Sequence, residues 1–414
     1  MRTAVPASHP AASTRVAPTR ADLGVVSPLS RPPARALVVC LLLLVSSVAW
    51  RKGSYFSGGV DAVVMAKAVL SLVALAAAAT APARGIPWAR LRVGPLPLLA
   101  AYLSVTTVGA ALYDSAMPTL VLASRLLILA ATAVCLVHAF PAGELLSALT
   151  CAMLLLAGFA SVTGLGSLAS SGRLYGGLPP LNANEISLLV SVPLLCILWR
   201  CVHRYATWRD VAAIAPCVGV IWLTGTRTGL VALVLAALVL VLMAPRIPVP
   251  MMCAGLLAIP SVLGIVFLTP VVNAYATRGD SASLLTLNSR TVAWHAAFNF
   301  ADTWPEKVLG VGLAVKQIPV SAMYRSDQIL DSTWVSAYVQ AGVAGTALLL
   351  LLVLATGARV AATRPPMRSL SAALLLLLLG RSFLESGVLD ATPSGITFLL
   401  VALALPPRSP QEEP

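Results

Sequence analysis

Apolar residues run along this chain in long stretches and do not alternate in twos. Read as helices, the runs fall near 35–50, 60–80, 96–113, 118–140, 144–168, 184–203, 211–225, 229–245, 250–269, 332–357, 368–386 and 392–406. Most approach the about 20 residues that carry a helix across a hydrocarbon core of about 30 Å. In lipid every backbone N–H and C=O has to be satisfied within the protein, which leaves helices or a closed barrel. A barrel would show period-two alternation, so the pattern predicts an all-α, polytopic transmembrane helical bundle of about twelve spans. The first, seventh and last runs are short, which leaves ten or eleven open. The polar intervals divide the chain further. Residues 1–33, rich in Pro, Ala, Ser and Arg, read as a disordered cytoplasmic tail. That stretch is too long and too proline-rich for the basic segment of a cleaved signal peptide, so the first run is expected to be a retained span. Residues 34–269 carry spans one to nine, 270–331 form one long loop, 332–406 carry spans ten to twelve, and 407–414 form a second cytoplasmic tail.

Composition agrees. Hydrophobic residues make up 58% of the 414 and charged residues only 10%, with a mean hydropathy of +0.90; a soluble domain needs far more charge to cover its surface. The net charge of +13 invites a nucleic-acid reading, but the basic residues are scattered through short linkers, as the positive-inside bias requires. With the N-terminus inside, the even linkers collect Arg84, Arg90, Arg92, Arg200, Arg204, Arg209, Arg246, Arg359, Arg364 and Arg368. Both termini then lie in the cytoplasm and the long loop lies outside; Arg51 and Lys52 run against the trend. The cysteines (Cys40, Cys135, Cys151, Cys196, Cys201, Cys217 and Cys253) sit in or beside apolar runs without metal-ligand spacing, and read as free thiols packed as small hydrophobes. The histidines show no metal spacing either, and no metal or other cofactor is expected.

The long loop is the first place to look for function. A helix is predicted from Ser289 to about Asp302 with Asn288 as N-cap. Trp294, Ala297, Phe298 and Ala301 share one face of it, which fits an amphipathic segment at the membrane interface or a small cap with its own core. Four outer features carry candidate chemistry. In the stretch from Arg173 to Glu185, Asn182 or Asn184 can cap the sixth span, the cap being the stronger reading for Asn182, while Arg173 and Asn184 are candidate ligand contacts. The turn Thr224-Gly-Thr-Arg-Thr-Gly fixes Arg227 beside the N-terminus of the eighth span, a good anion position, although an arginine there also serves to snorkel to headgroups. Asn288-Ser289-Arg290 sets Arg290 near another helix N-terminus, with Trp294 one turn on. Asp331, just before the tenth span, is either an ordinary helix-dipole charge or a general base at a cavity mouth. Inside the spans, Lys67 reads as snorkelling. Arg125 reads as cavity-lining, with Glu385 and Asp390 as candidate partners for it or for Arg381.

These elements, in this order, resemble the O-antigen ligase and polymerase family of membrane glycosyltransferases. The resemblance rests on Arg173, Gly176 and Asn184, then Thr-Gly-Thr-Arg-Thr-Gly with Arg227, then Asn-Ser-Arg-x-x-x-Trp with Arg290 and Trp294, Gly310-x-Gly312, and the segment from Asp331 to Gly345. It spans roughly residues 115–355. It implies a bacterial cytoplasmic (inner) membrane protein that moves glycan, on the extracytoplasmic face and without a metal, from a polyprenyl-pyrophosphate donor to a glycan or lipid acceptor. Arg227 and Arg290 match the pyrophosphate-binding arginines of that family. Where its ligases carry His-Asn, this chain has Asp331-Ser332, which shifts the expectation toward a polymerase, another transferase or a non-catalytic relative. The rival class is a transporter or flippase for a lipid-linked glycan or another anionic substrate; against it stand the absence of a repeat between the halves and the asymmetric long loop.

Overall fold

A computed structural model describes residues 32–51, 61–88, 91, 94–244, 293–319 and 327–403. The described chain is almost wholly helical. Its helices are α1 (Ala34–Ser47), α2 (Ala62–Ala79), α3 (Pro95–Leu112), α4 (Ala116–Ala139), α5 (Ala142–Thr163), the short α6 (Gly166–Ser171), α7 (Ala183–Val202), α8 (Trp208–Thr224), α9 (Arg227–Leu242), the short α10 (Trp304–Leu309), α11 (Thr333–Ala362), α12 (Met367–Ser382) and α13 (Pro393–Leu403). Residues 293–298 add one further turn of helix. Among the described residues six helices, α2, α3, α4, α5, α7 and α11, are long and apolar enough to cross a membrane, so the chain is a multi-pass membrane protein. The expected span at 250–269 lies outside the described residues.

The packing shows lipid as the solvent. Along α2 the small Ala74 and Ala78 face inward while Met65, Val69, Leu72 and Val73 point out; along α5, Ala148, Ala152, Ala157 and Ala160 are buried and Leu155, Phe159 and Val162 are exposed. Large apolar side chains thus cover the outer faces of these helices, while alanines lie at their inner contacts. It is what membrane helices need to approach one another. Some hydroxyls within the helices are satisfied locally, as where Thr132 and Thr356 donate to the carbonyls of Ile128 and Leu352. α9 packs along α12, α3 along α11, α1 against α2 and α5, and α7 against α5 and α8.

Several helix ends were legible. Asn182 and Glu185 form a reciprocal capping box at α7, Thr207 and Asp210 another at α8, and Thr303 and Glu306 a third at α10. The cap of α7 is therefore Asn182, which leaves Asn184 free for other contacts. The expected helix from Ser289 to Asp302 requires correction: its described part covers 293–298 only. Asn299 turns its side chain back onto the carbonyl of His295, and Thr303 then starts α10. The proposed common face also breaks up, because Ala297 is buried and Trp294 partly so, whereas Phe298 is exposed. Trp294 and Ala297 pack with Val311, Ile318, Leu330, Val335 and Val339 in a core separate from that of the bundle. The described part of the loop thus shares a small core with the start of α11.

The long loop is pinned to a break in α11. Gly342 has φ 63° and ψ −162°, inside what is otherwise one helix. The interruption leaves the carbonyls of Val339 and Gln340 to accept the N–H groups of Val311 and Gly312, each at 3.0 Å. The Gln340 side chain donates to Val315 O at 2.9 Å, and Ser115 Oγ donates to Val311 O at 2.6 Å. Beyond this anchor, β1 (Gln317–Pro319) pairs antiparallel with β2 (Asp327–Ile329), Ile318 opposite Gln328. β2 delivers the chain to Asp331 and the start of α11.

Candidate functional site

The odd-numbered linkers meet at one end of the bundle. There they enclose a cavity of about 360 Å³, inside the about 300–1,000 Å³ of small-molecule sites. Its walls come from the end of α1 (Ser47, Ala49), from α2 (Lys67), α4 (Leu122, Arg125, Leu126) and the start of α7 (Asn182, Asn184, Glu185). The long loop supplies Leu313, Lys316, Ile329 and Asp331, and the α12–α13 linker supplies Arg381, Glu385 and Asp390. The even-numbered linkers meet at the other end. There Arg84 pairs with Glu144, Trp199 Nε1 donates to Pro366 O at 3.0 Å, and Arg359 Nε donates to Ala402 O at 2.9 Å. Among the described residues the linkers alternate between the two ends.

Chemistry inside the cavity is balanced. Four cations (Lys67, Arg125, Lys316, Arg381) face four carboxylates (Glu185, Asp331, Glu385, Asp390). Lys316 and Asp390 form an ion pair at 2.6 Å. Asp390 also attracts Arg125, while Glu385 and Glu185 attract Arg381. Glu185 acts likewise on Lys67. The cations are further held by backbone: Lys67 Nζ donates to Val48 O at 2.7 Å, Arg125 Nη2 to Ser46 O at 3.2 Å and Arg381 Nη2 to Asn184 O at 2.8 Å. Asn184 Nδ2 donates to Glu385 Oε1. The start of α11 is tied to the same linker, because Thr333 donates through both N–H and hydroxyl to Glu385 O, and Trp334 Nε1 reaches Ser382 Oγ at 3.0 Å.

Of the residues singled out by sequence, Asp331 and Asn184 line this cavity. Asp331 is an exposed side chain one residue before Ser332, the N-cap of α11. Arg227, Arg173 and Trp294 are not among its walls. Arg173 is occupied structurally: Nε donates to Thr224 O at 2.9 Å and the guanidinium lies over the Tyr175 ring. Trp294 belongs to the core of the cap. Arg227, the first residue of α9, is half-buried, and its Nε and Nη2 have no hydrogen-bond partner among the described residues. It sits two residues before Gly229, where a β-carbon would lie 2.7 Å from both Arg381 Nη1 and Ser187 Oγ. This puts Arg227 near Arg381 of the cavity wall. Arg290 lies outside the described residues. Lys67, read as snorkelling, instead turns into the cavity.

Sequence reasoning passed over Lys316, Glu185 and the full set of pairs. Glu385 and Asp390 had been matched to Arg125 and Arg381 only because all lie near outer ends of spans. The free thiols Cys40, Cys196 and Cys217 are buried, and Cys135, Cys151 and Cys201 half-buried. Among the described residues no group of His, Cys, Asp and Glu has the arrangement of a metal site. No protein-family model matches the chain, and no curated protein matches it.

Proposed function

We propose that the protein is a metal-independent glycosyltransferase of the O-antigen ligase or polymerase type. In this reading it moves glycan from a polyprenyl-pyrophosphate donor to an acceptor hydroxyl at the cavity end of the bundle, which faces the extracytoplasmic side of a bacterial inner membrane. One observation carries the reading: a polar cavity walled in part by residues of the long loop has the exposed carboxylate of Asp331 on its wall, and Arg227, with donors unpartnered among the described residues, lies two residues before Gly229, where a β-carbon would meet Arg381 of the same wall. The orientation is supported by charge. Counting arginines in or beside the short linkers, the opposite end holds Arg84, Arg204, Arg209, Arg364 and Arg368, the bias expected of a cytoplasmic face.

In the proposed reaction the acceptor oxygen attacks the anomeric carbon of the donor sugar, forming a new C–O bond. The bond from that carbon to the pyrophosphate oxygen breaks, and the electron pair leaves with polyprenyl pyrophosphate. The hydroxyl proton passes to the Asp331 carboxylate and then to solvent. Arg227, beside the N-terminus of α9, and Arg290 stabilise the charge growing on the leaving group. The test is complementation of a deletion strain with wild type, Arg227→Ala, Arg290→Ala and Asp331→Ala, quantifying surface glycan and lipid-linked precursor together. Loss of polymer with precursor accumulating outside, at normal protein levels in the membrane, is the expected result. Retained polymer in all three variants would sink the proposal.

A second reading, a transporter or flippase, has one observation in its favour: α11 is interrupted at Gly342, and transporters use broken helices at their substrate sites. Precursor accumulating on the cytoplasmic face of the deletion strain would select it.

A further inference from the structure

At the end opposite the cavity, a groove lies between α5, α12 and α13. α5 packs mainly against α1 and α7, and α12 mainly against α9 and α11, so a cleft is left between them. One stripe of each helix lines it, from Ala142 to Leu149 on α5 and from Met367 to Leu374 on α12, and α13 adds Leu400 and Val401. Each stripe covers about 10 Å of helix, which keeps the groove within one leaflet of a hydrocarbon core about 30 Å thick. Apart from the hydroxyls of Ser371 and Thr397 every lining side chain is apolar, and Thr397 donates to Pro393 O of its own helix. The groove encloses about 60 Å³. A further helix, about 10 Å across with its side chains, is too wide to enter it. A single acyl chain is the thin apolar body that a bilayer supplies.

The outer end of the groove is basic. α5 and α12 both begin there, and neither N-cap, Pro141 or Pro366, offers a side-chain acceptor, so the positive ends of two helix dipoles flank the opening. Arg368 follows Met367 of the groove wall and lies one turn before Ser371. It is half-buried, and its Nε is buried with no hydrogen-bond partner among the described residues. The carboxylates described at this end, Glu144 and Asp210, are already paired with Arg84 and Arg200, which leaves neither for Arg368. A guanidinium fork matches phosphate oxygens. An apolar slot that leads up to such a group suits an amphiphile with a phosphate head. We infer that the groove is a binding site for an anionic phospholipid, with one acyl chain between α5 and α12 and the phosphate on Arg368 at the starts of those helices. Nothing in it depends on which reaction the cavity performs.

The test is native mass spectrometry of the full chain, purified and delipidated in detergent. It is titrated with phosphatidylglycerol or with phosphatidylcholine carrying the same acyl chains. The expected result is that the first phosphatidylglycerol binds more tightly than the first phosphatidylcholine. Arg368→Gln weakens phosphatidylglycerol about five-fold, the gain of one basic residue near anionic lipid. It weakens phosphatidylcholine less, because the choline cation offsets the phosphate. Arg209→Gln, at an exposed position at the same end on α8, removes the same charge away from the groove and changes neither lipid. Leu146→Trp, at a half-buried position on the groove wall, fills the slot and weakens both. Ala142→Leu, on the same wall, takes its place should that variant not melt cooperatively. Equal binding of the two lipids by wild type, equal losses in Arg209→Gln and Arg368→Gln, or undiminished binding once the groove is filled each overturns the inference.

Discussion

Substitution of Gly342 by Ala should show whether the break in α11 is what holds the cap in place. Its φ of 63° and ψ of −162° fall in a region open essentially to glycine alone, and a residue with a β-carbon there is strained by about 1–3 kcal/mol. The new methyl carbon would lie 2.7 Å from Leu309 N and nearer still to the Val308 carbonyl. These are backbone atoms, and no rotamer change relieves the overlap, which costs about 1–3 kcal/mol more. Together the penalty is about 2–6 kcal/mol, enough to expel the 308–312 segment from the break. A control lies in the same helix: a β-carbon on Gly357 meets nothing within 4 Å. In helical backbone Gly→Ala gains up to about 1 kcal/mol. The assay is thermal unfolding of both purified variants in one detergent, with maleimide accessibility of Ser386→Cys, on the cavity wall, as a second readout of the cap. Gly342→Ala is expected to melt lower and to label faster, and Gly357→Ala to melt at or above wild type. Equal behaviour of the two variants would refute the reasoning, since the same chemical change is claimed to have opposite signs.

Other expectations follow from the same geometry. At the end opposite the cavity, Arg200 and Asp210 form a pair whose side chains are 4% and 0% exposed; Asp210→Ala leaves the buried guanidinium without its counter-ion and should cost about 3–5 kcal/mol. Arg84→Ala, which breaks the half-exposed pair with Glu144, should cost less than about 1 kcal/mol in the same denaturation series. Gly310→Ala should destabilise as Gly342→Ala does, because its β-carbon would meet the backbone of Gln340 and Ala341. His203, just past the end of α7 with its ring against Trp199 and Tyr205, is held below the ordinary histidine range by burial. The unfolded chain then takes up a proton that the folded one refuses, so stability should fall as pH drops through the range just below 6.5. His203→Gln should flatten that dependence of melting temperature on pH.

What the sequence by itself determined is local. Run length and the lack of period two decide helices in lipid, because the backbone has no other way to satisfy its hydrogen bonds there. The caps at Asn182, Thr207 and Thr303 are legible because an N-cap acts across three residues of contiguous chain. The sorting of linkers to two ends follows from alternation alone, and with it the reading of Glu385 and Asp390 as partners for Arg125 or Arg381. Tertiary structure decided the rest. Gly342 and Gly357 look alike in one apolar run, and only the segment packed against the first makes it a break. Lys67 and Lys316 each look like an isolated charge, and for Arg125 the sequence leaves the partner open. What makes them counter-ions is carboxylates and carbonyls brought in from distant positions, as Asp390 is to Lys316 across 74 residues. Arg227 and Asp331 could be named from the sequence, but not which of them faces the cavity, because that depends on how α9 rotates against α12. Pairings over such separations are set by how helices pack, and no local pattern in the chain records them.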